Sequence, residues 1–263
     1  MLLDSQNQWA VCMLKRILAL LTAMSCLGAG ATSFGTDYSD LWWNASENGE
    51  GFNVIQQEDI LLMTFFVYDA SNKPTWYVSP DTAYNAGANN FQGALYATQG
   101  PPGSSLGATQ VGTAVFSPMS STTATLTYTV NGASIVKALT RETWRNDDMS
   151  GSYIGAKIGT YSGSGCNYGY MEEPVTMVVG QAAQTVTYQF TFSGNSCSQT
   201  GTYTQAGRMG SVNGTFSCSN GASGSFSQTE IQVTPQGVAW RGTASTTYDC
   251  SWTGHIGGVR QAP

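Results

Sequence analysis

The chain has 263 residues, of which 10% are charged, and its 16 acidic against 10 basic side chains give a net charge of −6 at pH 7. This balance argues against binding to nucleic acid or to an anionic membrane surface, because both need clustered Lys and Arg. With so few charges, solubility must come from Ser, Thr, Asn, Gln and Gly, which is typical of an exported β-rich protein.

The N-terminal segment predicts an export signal. Residues 13–16 are a short charged region, residues 17–27 are apolar, and residues 29–31 (Ala-Gly-Ala) form a small-residue cleavage site. The apolar stretch, about 11 residues, is too short to span a membrane. We expect residues 1–31 to be a signal peptide that is cleaved after Ala31, with Met13 as the true start.

An alternative for the same segment is a lipoprotein that is acylated at Cys26, although Ala23 stands where a Leu is usual. Either prediction places the protein outside the cytoplasm, in the periplasm or the medium, with no transmembrane span in the mature chain.

Residues 40–80 contain three of the seven Trp residues. Neighbouring side chains of a strand point to opposite faces, so one of Trp42 and Trp43 can enter a core while the other faces solvent. Three strands are predicted to follow, joined by turns at 58–59 and 69–74. They cover residues 52–57, 60–68 and 75–79.

This region carries a resemblance to a known group of proteins. The pattern Trp42-Trp43-Asn44-x-x-Glu47-x-Gly49-x-Gly51, with Gln56-Gln57, Tyr68-Asp69 and Pro74-x-Trp76, resembles a motif of exported bacterial β-rich proteins. The ending Gly254-His255-Ile256-Gly257-Gly258-Val259-Arg260 is similar to the C-terminus of that group. The usual motif has Pro and an aromatic residue where this chain has Ala45 and Glu50. The resemblance implies an exported β-domain protein and no particular chemistry.

The rest of the chain predicts an all-β fold. In the first half the strands are 91–98, 109–116, 122–130 and 134–141, and Asn131-Gly132 is the strongest hairpin signal. In the second half they are 153–161, 175–179, 185–192, 199–205, 210–218, 224–233, 238–246 and 251–256. No segment has a helical apolar period. Short strands at this spacing indicate an antiparallel meander that forms a barrel or a sandwich, and an up-and-down barrel like those of lipocalins or avidin is one version.

The polar residues 144–152 interrupt this pattern. We place a boundary there, which gives an N-terminal β-domain at 32–145 and a C-terminal β-domain at 146–263. The alternative is a long loop within one barrel.

Four cysteines follow the leader, and in an oxidising compartment they predict two disulfides with three possible connectivities. A turn at Gly207-Arg208 places Cys197 opposite Cys218 on paired strands, which is close enough for a disulfide. We therefore predict Cys197–Cys218, and Cys166–Cys250 for the remaining pair. A zinc site is disfavoured because the chain has one His and no C-x-x-C.

The candidate ligand-binding residues are Trp42, Trp43, Asn44, Glu47 and Trp76. Rigid aromatic side chains suit stacking on sugars or apolar ligands, although packing in the core is the alternative for each Trp. The leading interpretation is a non-enzymatic binding or envelope-associated module for an unknown glycan, apolar or envelope ligand. A structural surface component is an alternative.

A hydrolase acting on a glycan or envelope polymer is the other alternative, with Glu47 and Glu50 as paired carboxylates. In an extended chain residues three apart lie about 10 Å apart and face opposite sides, which does not suit one cleft. Glu172 and Glu173, which precede Pro174, are predicted to form a solvated turn. The sequence indicates no catalytic residue, metal site or cofactor.

One internal repetition suggests a basic rim. Residues 156–159, 207–210 and 254–257 share the order small, basic, Ile or Met, Gly. If each occupied an equivalent turn, Lys157, Arg208 and His255 would gather at one rim and attract anions. The alternative is that Gly-rich turns simply tolerate a basic residue.

Overall fold

The computed structural model describes residues 35–99, 107–167, 169–192 and 194–262. Over these residues the chain is all-β and antiparallel, as predicted, and its sixteen strands form two closed eight-stranded barrels. The predicted signal peptide and Cys26 lie outside the described residues. Nowhere in the described ranges is there a helix with the length and apolar character needed to cross a membrane.

The N-terminal barrel is an up-and-down meander. Its strands are β1 (Asp40–Trp43), β2 (Gly51–Gln57), β3 (Ile60–Tyr68), β4 (Pro74–Asn85), β5 (Asn90–Gln99), β6 (Gly107–Pro118), β7 (Thr123–Val130) and β8 (Ala133–Arg141). The Trp pair forms β1, which was not counted among the seven predicted strands. It closes the barrel, because Trp42 pairs with Phe52 on β2 and with Arg141 on β8. The predicted hairpin at Asn131-Gly132 is present, and both residues have positive φ angles.

The C-terminal barrel has the same topology. Its strands are β9 (Gly151–Ser162), β10 (Tyr170–Ala182), β11 (Thr185–Phe192), β12 (Asn195–Ala206), β13 (Met209–Cys218), β14 (Ser223–Val233), β15 (Gly237–Thr246) and β16 (Ser251–Arg260). Pairing of β16 with β9 closes it. Strand β10 begins earlier than predicted, so Glu172 and Glu173 lie in a strand and their assignment to a solvated turn is wrong.

Both predicted disulfides are present. Cys197–Cys218 joins β12 to β13 directly across the ladder, and the predicted register is confirmed by Tyr203 opposite Val212. Cys166–Cys250 joins the β9–β10 loop to the end of the β15–β16 loop. Two disulfides are typical of a protein that folds in an oxidising compartment.

Each barrel is filled by the inward-facing residues that alternate along each of its strands. The N-terminal core is aromatic, with Trp42 and Phe116 packed edge to face at 5.2 Å and Phe52 and Phe65 at 5.3 Å. The C-terminal core contains Tyr153, Tyr188, Phe190, Trp240 and Trp252, all of them buried.

The β12–β13 turn packs against the start of the N-terminal barrel. Asp40 Oδ2 accepts hydrogen bonds from the Arg208 backbone N–H (2.9 Å) and from the Arg141 guanidinium (3.0 Å), and the Arg208 side chain pairs with Asp37. Arg141 is buried, donates to the carbonyl oxygens of Ser39 and Ser121, and lies 4.8 Å from the centre of the Trp42 ring. This cluster ties the two barrels together.

Candidate functional site

The adjacent Trp42 and Trp43 have different environments. Trp42 is fully buried, and its indole N–H donates to the Tyr38 carbonyl at 2.9 Å. It is therefore a core residue, and its assignment to a ligand site is corrected. Trp43 is half-buried on the outer face, since it pairs with exposed Thr140.

An aromatic row crosses the outer face of the N-terminal barrel. Gly51 pairs with Phe66, and Phe66 pairs with Trp76, while Trp43 lies beside Gly51 because Trp42 pairs with Phe52. Phe66 and Trp76 are 52% and 46% exposed, so both rings are open to solvent. The structure thus brings two of the predicted binding residues, Trp43 and Trp76, into one row with Phe66.

Asn44 and Glu47 lie in the β1–β2 loop. Asn44 Oδ1 accepts hydrogen bonds from the N–H and hydroxyl of Ser46, and its carbonyl accepts the Glu47 N–H at 2.9 Å, so it shapes the loop. Glu47 and Glu50 both bind the Lys137 ammonium, at 2.6 and 2.7 Å. Burial alone would lower the pKa of Lys137, but the hydrogen bonds and charges of these two carboxylates raise it overall.

The two glutamates therefore do come close together, contrary to the estimate for an extended chain. They converge on one ammonium, however, and form an ion-paired anchor for the loop. An acid and a base facing a substrate across a cleft would need separate environments for the two carboxyl groups. This arrangement does not favour the hydrolase alternative.

The predicted basic rim is not formed. Lys157 and His255 lie in the middle of β9 and β16, and only Arg208 lies in a turn. Lys157 faces the barrel interior, His255 is exposed on the outside, and Arg208 pairs with Asp37 at the junction. The shared sequence order thus reflects no shared turn, because strand alternation sends the three side chains in different directions.

The C-terminal barrel contains a cavity of about 320 Å³. It opens at the end where the β9–β10 and β15–β16 loops meet, and both disulfides line it. The volume lies near the lower end of the range for small-molecule pockets. Its walls are mainly apolar and include the aromatic side chains of Phe190, Phe192, Phe216, Phe226, Trp240 and Trp252.

Glycines make room for one of these walls. The indole of Trp252 lies over Gly159 and Gly254, and a Cβ atom on Gly159 would lie 2.5 Å from its Nε1. A Cβ on Gly254 would lie 2.7 Å from the same ring. The glycines on β9 and β16 therefore let a large flat side chain lie against the inside of the sheet.

An ion pair is enclosed in this cavity. Lys157 and Glu173 are partners on β9 and β10, with Lys157 Nζ 3.0 Å from Glu173 Oε1, and Glu173 is 6% exposed. The ammonium also donates to the Tyr161 hydroxyl. It lies 4.8, 4.9 and 5.1 Å from the ring centres of Tyr161, Phe192 and Trp252. Three aromatic side chains and a carboxylate thus surround one cation.

A short chain of polar groups lies deeper in the barrel. The Tyr188 hydroxyl donates to Gln228 Oε1 at 2.6 Å, and Gln228 Nε2 donates to Gln199 Oε1 at 3.3 Å. Burial raises the pKa of Tyr188, so its hydroxyl remains a donor at all physiological pH values. Gln199 and Gln228 line the cavity and supply amide groups to its inner end.

The internal position of Lys157 and Glu173 was not predicted, although the sequence carries a signal for it. Lys157 falls on the same alternation as Tyr153 and Tyr161, and Glu173 on the same alternation as Val175 and Met177. A basic and an acidic residue at core positions of neighbouring strands predict an internal ion pair. The assignment of Glu173 to a turn concealed this pattern.

No protein family matches this chain, and no curated protein is significantly similar to it.

Proposed function

We propose that this protein is an exported, non-enzymatic binding protein that holds a small, largely apolar molecule inside its C-terminal barrel. The observation that carries the proposal is the cavity of about 320 Å³, which is mainly apolar and lined by several aromatic side chains. Cavities of this kind, with a few placed polar groups, are the usual form of a small-molecule site.

The scaffold supports this proposal. The walls belong to a closed ladder, and the loops at the open end are joined by Cys166–Cys250, so little chain is left to be ordered on binding. The leader predicted from the sequence and the two disulfides together support export.

A neutral fluorescent probe tests the proposal. N-phenyl-1-naphthylamine should show a saturable rise in emission with the oxidised protein, at one site per chain. Ala222→Trp, which places a bulky ring at the open end, should abolish that rise. Ala88→Trp, in an exposed turn of the other barrel, is the matched control and should keep it. Absence of saturable binding, or binding unaffected by Ala222→Trp, would contradict the proposal.

A second candidate is glycan or envelope-polymer binding on the aromatic row of Trp43, Phe66 and Trp76. The observation that favours it is the exposure of neighbouring Phe66 and Trp76 on the outer face of the N-terminal barrel. Retention on insoluble glycans should fall at least tenfold in Trp76→Ala. Trp144→Ala, in which an isolated Trp that is 79% exposed is removed, is the control. Equal retention of the two variants would exclude this surface.

A further inference from the structure

We infer that the C-terminal cavity selects an uncharged, planar aromatic molecule, because the two charges in its wall, Lys157 and Glu173, already compensate each other. This inference rests on the proposed function of the same cavity and names its ligand class.

The charged groups in the cavity wall favour a neutral ligand. Among the described residues that line the cavity, Lys157 and Glu173 are the only ones with a full charge at pH 7, and their charged atoms are 3.0 Å apart. Each therefore compensates the other before any ligand enters. A bound anion or cation would add a charge with no partner of its own, in a space where water cannot solvate it well. A neutral molecule carries no such penalty.

The aromatic rings that line the cavity favour a planar ligand. Lys157 lies near the rings of Tyr161, Phe192 and Trp252, and the cavity is also lined by Phe190, Phe216, Phe226 and Trp240, which the ammonium does not contact. Several of these rings are held by one another: Phe190 stacks on Tyr188 at 5.6 Å and meets Trp240 edge to face at 6.4 Å. Rigid aromatic walls lose little entropy on binding and favour a flat ring that stacks or meets them at an edge.

The uncharged polar groups of the cavity wall favour a polar substituent on the ligand. The uncharged polar groups that line the cavity are hydroxyls of Thr and Tyr and several amides, with Gln199 and Gln228 inside and Asn167, Asn195 and Asn220 near the open end. An amide both donates and accepts hydrogen bonds. These groups suit a hydroxyl, carbonyl or amide substituent on the ring, directed either inwards or towards the opening.

Three probes that share one ring system test the inference by calorimetry on the oxidised protein at pH 7: 2-naphthylmethanol, 2-naphthoate and 2-naphthylmethylammonium. The alcohol should bind at least tenfold more tightly than either ion. Equal or tighter binding of an ion would overturn the inference and leave the proposed function intact. Binding of none of the three at 1 mM would overturn both.

Two charge variants sharpen the test. Glu173→Gln leaves Lys157 without its carboxylate, and should shift the preference at least tenfold towards 2-naphthoate. Lys157→Met removes the ammonium that lies beside Glu173 and beside the rings of Tyr161, Phe192 and Trp252, and should shift the preference towards 2-naphthylmethylammonium. Unchanged preference in both variants would overturn the role of the pair.

A double variant covers the case in which the single variants fail to fold. Lys157→Met with Glu173→Leu removes both charges together, so the cavity stays neutral and should still prefer the alcohol. A preference for either ion in this variant would overturn the charge argument.

Discussion

Lys157 and Glu173 affect both the stability of the protein and the proposed ligand specificity. Glu173 is buried and Lys157 is largely so, and a buried charge is tolerated only while its partner is present. The surrounding aromatic rings and the Tyr161 hydroxyl add to the stabilisation of the ammonium. Replacing one member of the pair is therefore expected to destabilise the protein more than replacing both.

Glu173→Ala should destabilise the protein by about 3–5 kcal/mol, because it leaves the Lys157 ammonium buried and unpaired. Lys157→Met with Glu173→Leu should cost about 1 kcal/mol or less, since no charge is then buried. Both values can be measured by urea unfolding of the oxidised protein. Glu172→Ala, on the exposed side of the same strand, is the control and should change stability by less than about 0.5 kcal/mol. A double variant as unstable as Glu173→Ala would contradict this account.

At the scale of elements, the β12–β13 turn has two roles. It sets the register that aligns Cys197 with Cys218, and it contacts Asp40 and Arg141 of the other barrel. Gly207 suits both roles because its φ of +58° is readily available to glycine, and because no side chain is present at the contact. A Cβ there would lie 2.7 Å from Arg141 Cβ and would also overlap the Asp40 carboxylate.

Gly207→Ala should therefore weaken the junction between the barrels, with a loss of about 1–3 kcal/mol from strain and displaced hydrogen bonds. Calorimetry should show a lower or split unfolding transition. Gly221→Ala is a suitable control, since Gly221 also has a positive φ, +87°, but no atom lies near its Cβ position. If both variants lose the same stability, backbone strain alone explains the effect and the junction does not contribute.

The two disulfides close loops of different length. Cys166 and Cys250 are separated by 84 residues in sequence, and Cys197 and Cys218 by 21. On the chain-entropy account, loss of the longer link should cost about 1 kcal/mol more than loss of the shorter one. Denaturant unfolding of the two Cys-to-Ala pairs tests this. The variant that lacks Cys166–Cys250 should also bind N-phenyl-1-naphthylamine more weakly, because that disulfide joins the loops at the open end of the cavity. The opposite order of stabilities would show that native-state packing at Cys197–Cys218 dominates.

For the whole molecule, buried tyrosines predict the response to alkali. Burial raises the pKa of Tyr128 and of Tyr203 to about 12, against a value near 10 in the unfolded chain. The neutral form is favoured in the folded state, so this contribution is complete below pH 10 and is lost as the pH rises towards 12.

At pH 11 each of these tyrosines should therefore reduce the free energy of unfolding by about 1.4 kcal/mol relative to pH 9. Urea midpoints measured from pH 8 to 11 test the prediction, and Tyr128→Phe should flatten the decline. Tyr248→Phe is the control, because that side chain is 67% exposed and its hydroxyl meets water in both states. A decline unchanged by Tyr128→Phe would assign alkaline sensitivity to other groups.

Much of the architecture was readable from local patterns. Alternation of polar and apolar residues predicted fifteen of the sixteen strands, and a Gly-containing turn predicted which cysteines face each other. The missed strand, β1, is only four residues long, and it is a strand because it closes the barrel against β8. Such closure depends on a partner about 100 positions away, which no local pattern reveals.

Some features of the candidate sites were also predicted from the sequence, and others were not. Strand alternation indicated that one Trp of the 42–43 pair can enter the core, and the four cysteines that follow the predicted leader, with a Gly-containing turn between two of them, indicated two disulfides. Only the tertiary structure decided which Trp is buried, that Glu47 and Glu50 share Lys137, and that Lys157 and Glu173 meet inside an aromatic cavity. A cavity exists only after barrel closure brings inward residues of eight strands together. Its presence is therefore a property of the closed sheet, and local sequence order does not encode it.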